Sequence, residues 1–153
     1  MVLTLLLFCA MAVRAQNPAG AWKTIKDAKG LCQITVPEDW TPVGDAKGAV
    51  SFQDPTIALA VVTSQPGQEF RPLNATLLKT FGIPKARMFE NSAARIFYQD
   101  KVSRNAEETA AFSASVPAGK GTCSCRVSVL PSIPEDVAKK IVLSLSPGPA
   151  KTP

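Results

Sequence analysis

The absence of histidine is the most informative feature of this 153-residue sequence. Without an imidazole, Ser-His-Asp and Cys-His nucleophiles, histidine general acid–base catalysis and histidine metal ligation are all excluded. Carboxylate pairs such as Glu107 and Glu108 are adjacent in sequence, so they do not face each other as an acid–base pair would. We expect no catalytic residue, no metal site and no cofactor, and we predict that the protein is not an enzyme.

Charged and aromatic residues are also few, at 19% and 7% of the chain, whereas hydrophobic residues make up 46%. The hydrophobic share is that of a globular protein and excludes wholesale disorder. Phe97 and Tyr98 alternate between the two faces of a predicted strand, so they do not form the stacking platform of a nucleic acid-binding protein. We therefore expect a single domain with no nucleic acid partner.

The N-terminal residues 1–15 have the pattern of a signal peptide. Residues 2–13 are almost all apolar, but this run is shorter than the about 20 residues that a membrane-spanning helix needs. Val13 and Ala15 occupy the positions at which a signal peptidase requires small or branched side chains. Cys9 does not fit a lipid anchor, because the bulky Phe8 precedes it. We predict cleavage after Ala15 and a secreted or periplasmic protein with no transmembrane helix.

Alternating apolar residues predict most of the strands. Residues 23–36 form a predicted hairpin around Gly30, and residues 109–130 form a second hairpin. The apolar run over residues 57–62 does not alternate, which is typical of a central strand covered on both faces. Residues 100–108 are polar and predict a turn.

Two helices are predicted, one over residues 72–81 and one after a capping box formed by Ser132 and Glu135. Apolar stripes on both helices favour a helix on each face of the sheet. We therefore predict one α+β domain over residues 22–145, with a mostly antiparallel sheet of about six to seven strands flanked by helices on both faces. Residues 16–21 are predicted to be a flexible N-terminus, and residues 146–153 a disordered tail.

Residues 30–40 read Gly-Leu-Cys-Gln-Ile-Thr-Val-Pro-Glu-Asp-Trp, a glycine and an apolar strand followed by Pro-x-x-Trp. In this stretch, in the predicted closing helix of residues 134–145 and in the order of its elements, the chain resembles the PsbP-like proteins. The resemblance implies an α/β/α sandwich around an antiparallel sheet and an exported accessory role. Binding residues of the photosynthetic members have no match here, and the cysteines are not part of the family's pattern.

Predicted export implies a disulfide, because the thiols of exported proteins normally pair. The cysteines of the mature chain are Cys32, Cys123 and Cys125. In an extended strand, residues two apart lie about 6.5–7 Å from each other, near the limit for a disulfide. The sequence therefore predicts a bridge from Cys32 to either Cys123 or Cys125, with one thiol left over. A thiol-dependent redox or soft-metal-handling site at Cys123 and Cys125 is the alternative function.

Cationic residues are concentrated between positions 79 and 104, where Glu90 and Asp100 are the only acids. They indicate a basic surface for another exported protein or an acidic surface, with scattered solubilising charge as the alternative interpretation. The favoured function is an exported, non-catalytic accessory or binding domain of unspecified oligomeric state. A carrier with a pocket around Leu77, Phe81 and Phe112 is a further alternative. The residues of the predicted basic surface are Lys79, Lys85, Arg87, Arg95, Lys101 and Arg104.

Overall fold

The computed structural model of the chain describes residues 20–104 and 107–149, with side chains outside residues 101–108. The predicted signal peptide, residues 1–15, lies outside the described residues, as does most of the predicted flexible N-terminus. Within these described ranges, no helix is both long enough and apolar enough to cross a membrane.

The predicted N-terminal hairpin is confirmed. Strands β1 (Trp22–Lys26) and β2 (Cys32–Pro37) pair antiparallel, and Gly30 turns between them with a φ of 68°. This conformation favours glycine, because a Cβ atom would clash with the backbone. The last strand of the chain, β10 (Ser146–Pro147), pairs with the other edge of β2. The predicted disordered tail is therefore ordered at its start, because these residues complete a three-stranded sheet.

A seven-stranded antiparallel sheet forms the body of the molecule, in the order β3-β4-β5-β9-β8-β7-β6. The predicted turn at residues 100–108 is wrong in extent, since two long paired strands run through most of it. The predicted single α+β domain with a mostly antiparallel sheet is confirmed. The strands are β3 (Thr41–Pro42), β4 (Ala49–Phe52), β5 (Ala58–Gln65), β6 (Met88–Asn91), β7 (Ile96–Arg104), β8 (Glu107–Ala118) and β9 (Gly121–Val129).

Both predicted helices form, but they are shorter than predicted. Helix α1 (Ala75–Thr80) begins at Asn74, whose side-chain oxygen accepts a hydrogen bond from the Leu77 amide at 2.9 Å. A short 3-10 helix (Lys85–Arg87) follows it. Helix α2 (Glu135–Leu143) begins at Pro134 without a side-chain cap, so the predicted capping box does not form.

One face of the seven-stranded sheet, the core face, is covered by α2 and by the three-stranded sheet. The core contains alternate residues of the central strands together with the apolar stripe of α2. Helix α1 buries none of its residues, so the helix layer predicted on the second face is not formed by the described residues. The buried residues of α2 are Val137, Ala138, Ile141 and Val142.

A disulfide joins Cys32 in β2 to Cys123 in β9, with Cα atoms 5.6 Å apart. This is one of the two pairings that the sequence left open. Both cysteines are fully buried. The bridge therefore ties the three-stranded sheet to the core face of the larger sheet.

The Asp27 carboxylate, at the turn between β1 and β2, forms a second link between the two sheets. It accepts hydrogen bonds from the Ser64 hydroxyl at 2.6 Å and from the amides of Cys32 and Leu31 at 2.9 and 2.7 Å. Burial raises the pKa of Asp27, but the hydrogen bonds from Ser64 and the turn amides outweigh burial and lower that pKa below its ordinary value. The turn is thus held to β5 by an ionised carboxylate.

Candidate functional site

The second face of the seven-stranded sheet, which we call the open face, carries small and polar side chains on its central strands. Its residues alternate with those of the core face, because successive side chains of a strand point to opposite sides. The open face contains Leu59, Val61 and Thr63 of β5, Ser124, Arg126 and Ser128 of β9, Thr109, Ser113 and Ser115 of β8, and Tyr98 and Asp100 of β7.

The strand register places these side chains in rows across the sheet. Val61, Arg126, Ser113 and Tyr98 form one row, since each is paired with the next. Serine side chains on the two central strands fill little space. A cavity of about 520 Å³ therefore lies over the face, within the size range of small-molecule sites in proteins.

The charged centre of the open face is the ion pair of Arg126 and Asp100. The guanidinium Nη1 lies 3.4 Å from the carboxylate Oδ2, and the Arg126 side chain remains 52% exposed. The Ser113 hydroxyl donates to the same carboxylate oxygen over 3.4 Å. Asp100 thereby holds the guanidinium over the cavity while leaving several of its N–H donors free for a ligand.

Hydroxyl groups surround this ion pair. Burial raises the pKa of Tyr98, and the negative charge of Asp100 adds to this effect, so the phenol stays protonated. The hydroxyls of Ser115 and Ser124 lie 2.9 Å apart on neighbouring strands. The buried Thr109 hydroxyl has no hydrogen-bond partner within the described part of the chain. The face thus offers both donors and acceptors, with Leu59 and Val61 as its apolar border.

The predicted thiol pair is not assembled as an exposed site. Cys123 is in the disulfide, and Cys125 lies on the core face with an exposed fraction of 3%. Burial raises the pKa of Cys125 to about 12, so its reactive thiolate is scarcely populated near neutral pH. Among the side chains that the structure describes, no three Cys, Asp or Glu residues are grouped so that they could hold a metal ion.

The six residues of the predicted basic surface come from several elements. Lys79 lies on α1, and Lys85 and Arg87 lie on the 3-10 helix. Arg95 precedes β7, and its guanidinium Nη2 donates to the Leu143 carbonyl over 3.5 Å. Lys101 and Arg104 belong to β7, and their side chains are outside the described part.

The residues of the suggested carrier pocket do not come together. Phe112 is fully buried on the core face, where the Lys139 ammonium lies 5.2 Å from the centre of its ring. Leu77 and Phe81 are 38% and 58% exposed on and beside α1. The sheet–helix interface is therefore filled core, and the cavity lies on the other side of the sheet.

The open face was missed from the sequence, although its signal was present. The pattern Ser124-Cys-Arg126-Val-Ser128 places a polar residue at every second position, as expected for a strand with one polar face. The continuous apolar run of residues 57–62 was misleading. Its odd-numbered residues Leu59 and Val61 border the cavity instead of meeting a second helix.

The chain is similar to known proteins in its fold alone. No protein-family model matches the chain, and no curated protein matches it in sequence. A crystal structure from Bacteroides thetaiotaomicron VPI-5482 superposes with a TM-score of 0.57 at 10% identity, over 85% of this chain and 50% of that one. This chain thus spans about half the length of that protein. LpqN, a protein involved in cell envelope biogenesis of Mycobacterium tuberculosis, has a TM-score of 0.47 at 13% identity, over 84% of this chain and 91% of LpqN.

Proposed function

We propose that the protein is an exported, non-catalytic binding domain whose open face takes a small organic anion bearing hydroxyl groups. The observation that carries this proposal is the hydroxyl-lined cavity centred on the exposed Arg126 guanidinium. The concave shape of this face distinguishes it from the flat solvated face that antiparallel sheets commonly have.

The ligand class follows from the chemistry of the lining. An arginine guanidinium presents a fork of N–H donors that matches a carboxylate or phosphate. The serine hydroxyls and the Tyr98 phenol both donate and accept, which suits the hydroxyl groups of a sugar-like molecule. Asp100 already forms an ion pair with the Arg126 guanidinium. A ligand must compete with this carboxylate, so we expect moderate affinity. A sugar acid combines both features.

Export is supported by the disulfide between Cys32 and Cys123 together with the predicted signal peptide. Disulfides persist in oxidising compartments and are rare in the cytosol. A place among the PsbP-like proteins is supported by the antiparallel sheet and the packed C-terminal helix α2. An accessory binding role is what this resemblance implies.

A thiol-dependent redox or metal-handling role is the weaker proposal. It would require Cys125 to be accessible as a thiolate, whereas its burial and raised pKa oppose this. The non-catalytic proposal rests on the lack of histidine in the sequence.

The experiment is a calorimetric titration of the protein with glucuronate and with glucose, which differ in one carboxylate. We expect glucuronate to bind and the Arg126→Ala variant to bind it at least about tenfold more weakly, because a charge-assisted hydrogen bond is lost. Lys120→Ala is the matched control, since this exposed lysine lies in the β8–β9 turn away from the cavity. Equal binding by both variants would contradict the proposed site.

A further inference from the structure

Residues 70–89, which we call the docking segment, make up most of the connection from β5 to β6 together with the first two residues of β6, and they carry charge of only one sign. The segment contains Arg71, Lys79, Lys85 and Arg87 and no acidic residue. Arg71 is paired with Glu69 at the boundary of the segment. Lys79, Lys85 and Arg87 form no ion pair with any carboxylate in the described part of the chain.

The same segment carries large apolar side chains exposed to solvent. The side chains of Leu77, Phe81 and Phe89 are 38%, 58% and 50% exposed. Leu77 and Phe81 are four residues apart at α1, so they lie on the same side of the helix. The Phe89 ring packs against Phe97, with ring centres 4.8 Å apart, so Leu77 and Phe81 are the protruding apolar groups. The segment thus combines unpaired positive charge with protruding apolar groups, the combination found in segments that bind membrane surfaces.

The docking segment is held to the body of the protein in one arrangement. The Asn91 side chain donates to the Leu73 carbonyl and accepts from the Leu73 amide, both at 2.8 Å. Ile83 is buried, with an exposed fraction of 6%. Because the segment is already ordered, contact with a surface does not have to order it first.

We propose that the docking segment binds the surface of an anionic lipid bilayer, with Phe81 and Leu77 entering the boundary between head groups and acyl chains. The unpaired cations match the negative charge of the lipid head groups. A hydrated polyanion such as an acidic polysaccharide matches the cations but gives the two apolar side chains nothing to enter. A protein partner would need a groove complementary in shape to this short protruding helix, whereas a fluid bilayer can deform around the helix.

The test is sedimentation of the protein with vesicles of phosphatidylcholine alone or with about one third phosphatidylglycerol. We expect binding to the anionic vesicles only, and weaker binding as salt is added. Lys85→Gln should weaken partitioning about fivefold and Phe81→Ser roughly tenfold. Lys120→Gln and Leu31→Ser are the matched controls, because they remove an exposed cation and an exposed apolar side chain elsewhere.

Melting temperatures equal to the unmodified protein's verify that each variant is folded. Failure to bind the anionic vesicles at low salt would overturn the proposal. So would a loss of binding in Lys85→Gln that is not accompanied by a loss in Phe81→Ser, since this result would show that the cations adsorb to the head groups without entry of the apolar side chains. Equal losses in the variants and in their controls would also overturn it, because the contact would then not be local to the segment.

Discussion

The two faces of the seven-stranded sheet differ although they are built from the same strands. On β8, Phe112 is fully buried against α2, whereas the next residue, Ser113, lines the cavity of the open face. On β9, Val127 is in the core and Arg126 lies over the cavity. The core face is filled by large side chains, and the open face is left hollow by small ones. One face of the sheet therefore stabilises the fold, and the other face is free to contact a ligand.

The core face also receives both links to the three-stranded sheet. The disulfide enters through Cys123, and the Asp27 carboxylate accepts from Ser64, which lies on the core face two residues after the buried Val62 of β5. Changes on this face should therefore cost stability, while changes on the open face should alter binding.

Removal of the disulfide should give the largest effect. Cys32 and Cys123 are 91 residues apart, and closing a loop of this length stabilises a protein by about 4.5 kcal/mol in the chain-entropy model. The double variant Cys32→Ser, Cys123→Ser should lose about this free energy of unfolding in urea denaturation. Cys125→Ala is the control and should lose much less. A double variant as stable as the control would show that the bridge does not hold the two sheets together.

The two faces can be compared directly at adjacent residues of β8. Phe112→Ala should lower the free energy of unfolding by about 3–4 kcal/mol, because it leaves a cavity in the core. Ser113→Ala should lower it by less than about 1 kcal/mol, since the hydrogen bond from the hydroxyl to Asp100 is long, at 3.4 Å. Denaturant titration of both variants measures the difference. Similar losses would mean that the open face is packed as tightly as the core.

Asp27→Asn should lower the free energy of unfolding by roughly 2 kcal/mol, because a charged hydrogen-bond acceptor between the two sheets is lost. The pKa of this carboxyl is lower in the folded protein than in the unfolded chain, where it is about 3.9. Its contribution is therefore complete above that unfolded value and disappears as the pH falls through the folded pKa.

Unfolding measured over a series of acidic pH values tests this sign. The unmodified protein should lose more stability on acidification than Asp27→Asn does, so the two should converge at low pH. A stability difference that stays constant over the acidic range would contradict the role of the ionised carboxylate.

The smallest effect is expected when the folded protein is treated with an alkylating reagent, because the buried Cys125 thiol should not react. With its pKa raised to about 12, the folded protein should not react with iodoacetamide at about pH 8, whereas the denatured protein should react fully. Mass spectrometry before and after denaturation counts the alkyl groups. Rapid reaction of Cys125 in the folded protein would favour the thiol-dependent function over the binding function.

The local elements were largely predictable from the sequence. The hairpin around Gly30 and the buried stripe of α2 follow from alternation, turn residues and helical spacing, which are local properties. The capping box predicted at Ser132 does not form, and the helix layer predicted over the second face is not formed by the described residues. Spacing does not reveal whether a cap forms, and it does not reveal whether a helix such as α1 reaches the sheet.

The candidate site could not be assembled from the sequence in the same way. Arg126 and Asp100 are brought together by the pairing of β7, β8 and β9, which depends on the register of strands distant in the chain. The serines were visible as alternating polar residues, but alternation alone does not distinguish a solvated face from a cavity. The choice between Cys123 and Cys125 as the partner of Cys32 likewise required the position of β2 over the sheet.

The most direct test of the open face as the binding face is an amide NMR spectrum recorded during titration with glucuronate. The shifted signals should belong to residues of β5, β8 and β9 around Arg126, and Arg126→Ala should abolish most of these shifts. Signals of the β1–β2 hairpin and of α2 should stay in place, because these elements lie across the sheet from the cavity. Shifts that map to the α2 side, or an unchanged spectrum, would contradict ligand binding at the open face.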